Sequence, residues 1–176
     1  MPDLIDLLKK AYSEGNRYNH ERIYDVSEGV VAKSFITQHE AIYEFEFGRE
    51  LHSKGIQVPK MIQVEGLEFT IALKNYYDLW FLLMQKIKGM TIGNIAEADR
   101  SDAYRQYREQ IGKVLDMGIN PIDSDWHGNS MYDSDEKKLY LIDFGQWSRI
   151  GTATDLESER ERVSGPLAFR YNRMSI

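Results

Sequence analysis

The stretch "DSDWHGNSMYDSDEKKLYLIDFG", residues 123–145, places five aspartates, one asparagine and one histidine in 23 positions. Oxygen donors at this density suit two kinds of chemistry: holding a magnesium ion over phosphate, or turning a hairpin in water. Asn129 and Asp143 lie 14 residues apart, flanking two apolar runs joined by the polar "SDEK". Upstream, "VVAK" brings Lys33 to a β-branched run, and Glu44 follows 11 residues later inside a helical pattern. A lysine on a strand, a glutamate on the next helix, an Asp/Asn loop and an Asp-Phe-Gly after an apolar strand thus occur in a fixed order. Taken singly, each has a plain structural explanation: an edge-strand lysine, an acidic helix face, a solvated loop, a strand ending in a turn. Order and spacing together are what point to chemistry.

The elements that must position these residues follow from periodicity. Residues 3–12, "DLIDLLKKAY", place apolar side chains at helical spacing behind Asp3 as N-cap, with Gly15 near the end. "ERIYDV" and "VVAKSF", separated by "SEG", predict a β-hairpin. Residues 38–54 predict a helix with a stripe of Ile42, Phe45 or Phe47, and Leu51, stopping at Gly55. "VPKMIQVEG" and "DLWFLLMQKI" predict two further antiparallel strands, with "KNYYD" as the turn between them. A third helix is expected over about 100–117, striped by Tyr104, Tyr107, Ile111, Val114 and Leu115 and closed by Gly118. The loop 119–130 leads into the hairpin across "SDEK", and the tail 146–176 is polar and irregular, with a helix at about 155–163. The change of character at "KIKGMTIGN" predicts a hinge between a sheet-rich half, 1–88, and a helical half, 89–176, within a single domain.

Composition narrows the alternatives. The chain has 176 residues, a formal net charge of −6 and a pI near 5.3, so there is no clustered basic surface to recommend nucleic acid or an anionic membrane as partner. Without cysteine there is no disulfide, no thiolate nucleophile and no cysteine zinc site. His127 has only His20, His39 and His52 as companions, and no Gly-x-Ser-x-Gly elbow supports a hydrolase. "DSDEKK" lacks the glycine and terminal glutamate of a calcium loop. The N-terminus does not read as a signal peptide, and the longest apolar run, "LWFLLM", is far too short to span a bilayer. A soluble, cytoplasmic protein is expected, with secretion into a host cell as an effector the alternative.

The ordered set "VVAK", "DWHGN" and "LIDFG" resembles the protein-kinase-like superfamily over roughly residues 15–147. The resemblance implies an α+β, minimal bilobal kinase-like fold: a small antiparallel sheet lobe plus a reduced helical lobe. It also implies ATP with Mg2+ (Mn2+ as the alternative ion) as cofactors. Lys33 would reach the α- and β-phosphates, steadied by Glu44, which is preferred over Glu46 because Phe47 and Leu51 share its helical face. Asn129 and Asp143 would be the metal ligands. Adenine would lie against the hinge at Gln85 and Ile87 with Met84 behind it. Gly15 is the only glycine in the region where the family places a glycine-rich loop. For the catalytic base, Asp125 lies four residues before Asn129 and is followed by the large apolar Trp126, so that "DWHGN" is similar to "DLHPGN" with one residue deleted. Asp123, in "GINPID", is the alternative. The short C-terminal part is similar to minimal atypical kinases: the RIO type, the kinase of the tRNA-modification complex, and compact bacterial effector kinases. That similarity favours a protein serine or threonine as acceptor over the small molecules of aminoglycoside-type kinases. A pseudokinase or nucleotide-binding regulatory module is the competing reading, and oligomeric state is left unassigned.

Overall fold

The computed structural model describes residues 3–18, 22–71, 75–121 and 128–150, side chains being described at 68–71 and 75–78 for neither strand. The chain divides into two compact units, one of residues 1–54 and 58–88, the other of 55–57 and 89–176. Among the described residues no helix is long and apolar enough to cross a membrane.

The first unit opens with α1 (Leu4–Glu14), whose N-cap Asp3 accepts the Ile5 N–H and whose C-cap Gly15 takes a left-handed φ of 67°. Eleven residues of helix are marginal in water without packing. Here Leu8 and Ala11 are buried against Tyr24, Val26, Ala32, Leu67, Phe81 and Leu83, and each large side chain so buried contributes roughly 2 kcal/mol. Strands β1 (Ile23–Ser27), β2 (Val30–Phe35), β3 (Met61–Ile71) and β4 (Asn75–Gln85) form an antiparallel sheet in the order β1-β2-β4-β3. Period-two alternation puts Ala32 on the α1 face, and therefore Val31 and Lys33, with their partners Asp25 and Ile23, on the other. Helix α2 (Gln38–Ser53) starts at a reciprocal Thr37/Glu40 capping box and packs on β2, β3 and β4.

Two expectations for this unit need correction. "KNYYD" is not the turn: Asn75 to Asp78 are in β4, paired with Glu68 to Ile71, because aromatic Tyr76 and Tyr77 favour a strand more strongly than the Lys-Asn pair favours a bend. Ile42 does not belong to the α2 core stripe but is 37% exposed; the buried stripe is Ala41, Glu44, Phe47, Gly48 and Leu51. The backbone of 16–18 adds an unforeseen element, pairing with β1 through an Arg17–Tyr24 bridge and through Tyr18 N–H to Ile23 O and Asp25 N–H to Asn16 O.

In the second unit, β5 (Met90–Thr91) and a short 3-10 turn lead into α3 (Glu97–Asp116). Ala103, Tyr107, Gln110, Ile111, Val114 and Leu115 form its buried stripe, while Tyr104 is only half-buried. Helix α3 packs on β6 (Ile119–Asn120) and on β8 (Lys138–Leu141), which is hairpinned with β7 (Ser130–Asp133) and continued by β5 in the order β5-β7-β8. Strand β6 pairs with β9 (Ser148–Arg149), so the start of the expected loop and of the expected irregular tail are in fact hydrogen-bonded to each other. The predicted helix at 155–163 lies outside the described residues. Gln110, the one polar residue of the α3 stripe, accepts the Gln57 N–H at 2.9 Å, while the Gln57 carbonyl accepts from Leu141 N–H at 2.8 Å. This explains why residues 55–57 belong to the second unit.

Gly89 begins the second unit against β7: a Cβ built there would stand 2.5 Å from the Tyr132 carbonyl oxygen. Backbone cannot yield as a side-chain tip can, so Gly89→Ala is expected to cost on the order of 2–3 kcal/mol, as overpacking does. Urea denaturation measures it; a midpoint equal to wild type would show that β5 and β7 part freely.

Candidate functional site

Glu44 is the sequence-predicted residue most constrained by the fold. It sits within the apolar stripe of α2 at 2% exposure, where a carboxylate is stable only with a partner. Lys33 supplies one: its Nζ donates to Oε1 at 2.9 Å and to Oε2 at 2.8 Å, and the lysine side chain is itself only 13% exposed. Capping at Thr37 sets the helical register, and alternation along β2 turns Lys33 toward it. Glu46, the rejected alternative, is exposed. A largely buried ammonium held on both carboxylate oxygens is fixed in position, able to meet an anion without the cost of ordering a flexible side chain.

The second predicted pair is joined by the hairpin. Asn129 immediately precedes β7, and Ile142-Asp143 immediately follows β8; their 14-residue separation is the path around the turn. The ladder is extended by Ile142 N–H donating to the Asn129 carbonyl at 2.9 Å, which sets Asn129 opposite Ile142 at the open end, with Asp143 the next residue along the chain. Asp143 adopts a left-handed φ of 56°, a conformation costly to a residue with a Cβ and one that accumulates where function retains it. Its neighbour Phe144 is 1% exposed and packs edge-on against Trp147, anchoring the turn while Asp143 itself stays exposed. At the other end of the hairpin Asp133 is 8% exposed, its Oδ1 accepting the N–H groups of Asp135 and Glu136, so it shapes the turn.

The linker residues have mixed surroundings. Met84 is opposite Val31 in the sheet and half-buried, and Ile87 is buried. Gln85 donates its N–H to the Lys60 carbonyl and accepts the Lys60 N–H on Oε1. Lys86 donates its N–H to Gly29 O, and the Ile87 carbonyl accepts the Tyr18 hydroxyl at 2.7 Å. Gly15, expected in the glycine-rich region, ends α1: its left-handed φ closes the helix and its N–H is bonded to Tyr12 O. Asp123, Asp125 and His127 lie outside the described residues. Sequence reasoning missed Tyr18, Asp25 and Lys86; opposite charges 61 positions apart left no local signal.

Among the described residues no group of three or more His, Asp or Glu is arranged to hold a metal ion. Magnesium is usually held by one or two protein oxygens plus water and phosphate, and the amide of Asn129 and the carboxylate of Asp143, at the same end of the hairpin, offer donors of that kind.

No family model and no curated protein sequence matches the chain. A solved structure does: the Cydia pomonella granulovirus kinase PK-1, with a TM-score of 0.54 and 16% sequence identity, matched over 84% of this chain and 57% of the viral one. The fold is kinase-like. This chain spans somewhat more than half the length of the viral kinase, and at that identity the likeness speaks to architecture. The kinase-like fold agrees with the α+β arrangement of a small antiparallel sheet and few helices.

Proposed function

We propose that this protein is an ATP- and magnesium-dependent phosphotransferase, a small atypical protein serine/threonine kinase. The observation that carries the reading is the Lys33–Glu44 pair, a buried ammonium fixed at 2.8 Å and 2.9 Å on a kinase-like sheet. A structural salt bridge alone gives little reason to bury both charges, since apolar residues of similar volume stabilise as well or better. Lys33 would hold the α- and β-phosphates, with Glu44 preventing it from collapsing onto them. Asn129 and Asp143 would hold the magnesium, which when bound neutralises charge on the transferring phosphoryl group. Asp125, with Asp123 as the alternative, would orient the acceptor hydroxyl. The protein acceptor is carried over from the resemblance to minimal atypical kinases.

A nucleotide-binding module without transfer is the second reading, favoured by Gly15 being spent as a helix cap. The two separate in a label-transfer assay with [γ-32P]ATP, a generic protein substrate and an aminoglycoside in parallel. Asp125→Ala is expected to lower transfer about a hundredfold or more while leaving the thermal shift with Mg-ATP intact. Full transfer by Asp125→Ala with loss in Asp123→Ala would move the base to Asp123. No thermal shift at millimolar Mg-ATP would sink both readings.

A further inference from the structure

Strand β8 ends two residues before Asp143, and its two edges are held differently. Toward β7 it pairs as an antiparallel ladder, which finishes with Ile142 N–H on the Asn129 carbonyl. Away from β7, the N–H groups of Leu139 and Leu141 are met by α3 and by residue 57. Gln106 Oε1 accepts the Leu139 N–H at 3.0 Å, and the Gln57 carbonyl accepts the Leu141 N–H at 2.8 Å. Gln57 is itself held from α3, its N–H donating to Gln110 Oε1 at 2.9 Å. All of these residues lie in the second unit. Gln110 is 4% exposed within the apolar stripe of α3, where an amide is costly unless bonded and an apolar side chain would fill the volume without that cost. Leu141 and Ile142, the two residues before Asp143, are thus fixed from opposite sides. The left-handed φ of Asp143 follows at once, a conformation that persists only where its surroundings over-determine it.

We propose that Gln110 is a positioning residue for the Asp143 carboxylate, acting through the Gln57 backbone on the Leu141 N–H. The proposal rests on the reading of Asp143 as a magnesium ligand. Strand β8 has four residues and one partner strand, so the bond on its outer edge nearest Asp143 resists rotation of the strand end about β7. Loss of the Gln110 acceptor orphans the Gln57 N–H, which turns toward another partner and draws its own carbonyl away from Leu141. Asp143 is then released from its left-handed turn, and its carboxylate shifts relative to Asn129. Groups that orient a metal ligand from behind typically carry about ten- to a hundredfold in metal affinity. Gln106 serves a different end of the strand: it holds Leu139 beside the turn, where its Nε2 also donates to the Lys137 carbonyl and to Asp102.

Calorimetric titration of the full chain with the non-hydrolysable nucleotide AMP-PNP, once with Mn2+ and once in EDTA, tests this. The ratio of the two Kd values reads the metal contribution, which Asp143→Ala is expected to abolish. Gln110→Met is expected to reduce that ratio by about tenfold while leaving the metal-free Kd unchanged. Gln110→Glu, which keeps an acceptor oxygen, is expected to retain it. Gln106→Met, which also deletes an amide bond to β8, is expected to lower the urea midpoint as Gln110→Met does but to leave the metal contribution intact. Should Gln110→Met not fold, Gln110→Asn, with its acceptor one methylene short, is expected to reduce the ratio in the same direction. A metal contribution lost in Asp143→Ala but intact in the Gln110 variants overturns the proposal and leaves the metal reading standing. An equal reduction in Gln106→Met overturns it too, by showing that any loosening of the hairpin suffices. A wild type whose Kd is the same with Mn2+ and in EDTA overturns the metal reading of Asp143 and this inference with it.

Discussion

Asp143→Gly is expected to lower phosphotransfer by at least about a hundredfold while leaving the protein as stable as wild type or slightly more so. In the proposed reading the carboxylate is an oxygen donor for magnesium, and removing one preorganised electrostatic group from a reaction site typically costs 10²–10³ in rate. The stability half comes from the backbone. At φ 56° an aspartate bears a cost of roughly 1 kcal/mol that glycine escapes, partly offset by the greater freedom of glycine in the unfolded chain. Asp143→Ala removes the same carboxylate but keeps the Cβ, so it should be equally inactive and less stable than Asp143→Gly. Transfer assays paired with urea midpoints read both halves. Wild-type transfer by Asp143→Gly would remove Asp143 from the metal site, and a large loss of stability in that variant would show that its left-handed turn is merely structural.

Lys33→Met is expected to destabilise the first unit by about 3–5 kcal/mol, before any effect on activity is considered. The substitution leaves the Glu44 carboxylate at 2% exposure without the ammonium that meets both its oxygens. That is a large share of the ~5–15 kcal/mol that stabilises a typical domain. The double variant Lys33→Met/Glu44→Leu should recover most of the loss, because it replaces the pair by apolar volume instead of orphaning half of it. A double-mutant cycle in urea reads the coupling; a Lys33→Met midpoint equal to wild type would mean that Glu44 finds water or another cation when the lysine goes. The practical consequence is that an inactive Lys33 variant says nothing about phosphate binding unless its folding is measured, whereas the double variant separates the two.

Legibility in the sequence followed the range of the forces involved. Helix α1 was readable to its caps because Asp3 and Gly15 act within one turn of the residues they satisfy. The β7–β8 hairpin was readable because alternation and a four-residue polar turn are local signals. Glu44 was preferred over Glu46 from the phase of Phe47 and Leu51, and the helix indeed buries that face, though Ile42 turned out to lie off it. "KNYYD" misled because turn-forming and strand-forming residues stood side by side, and pairing with β3 decided between them. Gly15 was legible as the end of α1, where it takes a left-handed φ, but a glycine's freedom of φ serves a helix cap as well as a phosphate loop, and composition alone does not distinguish the two.

By itself, the sequence determined the order of elements, the residue types able to hold phosphate and magnesium, and the spacing that relates Asn129 to Asp143. Tertiary structure alone decided which charges are buried and which backbone groups are already bonded. The Lys33–Glu44 contact depends on packing α2 across three strands, the left-handed Asp143 on Phe144 being locked beneath it, and the Tyr18–Ile87 bond on a segment 69 residues upstream folding back along β1. Local propensity acts over a few residues, while burial and the satisfaction of buried polar groups are properties of the assembled chain.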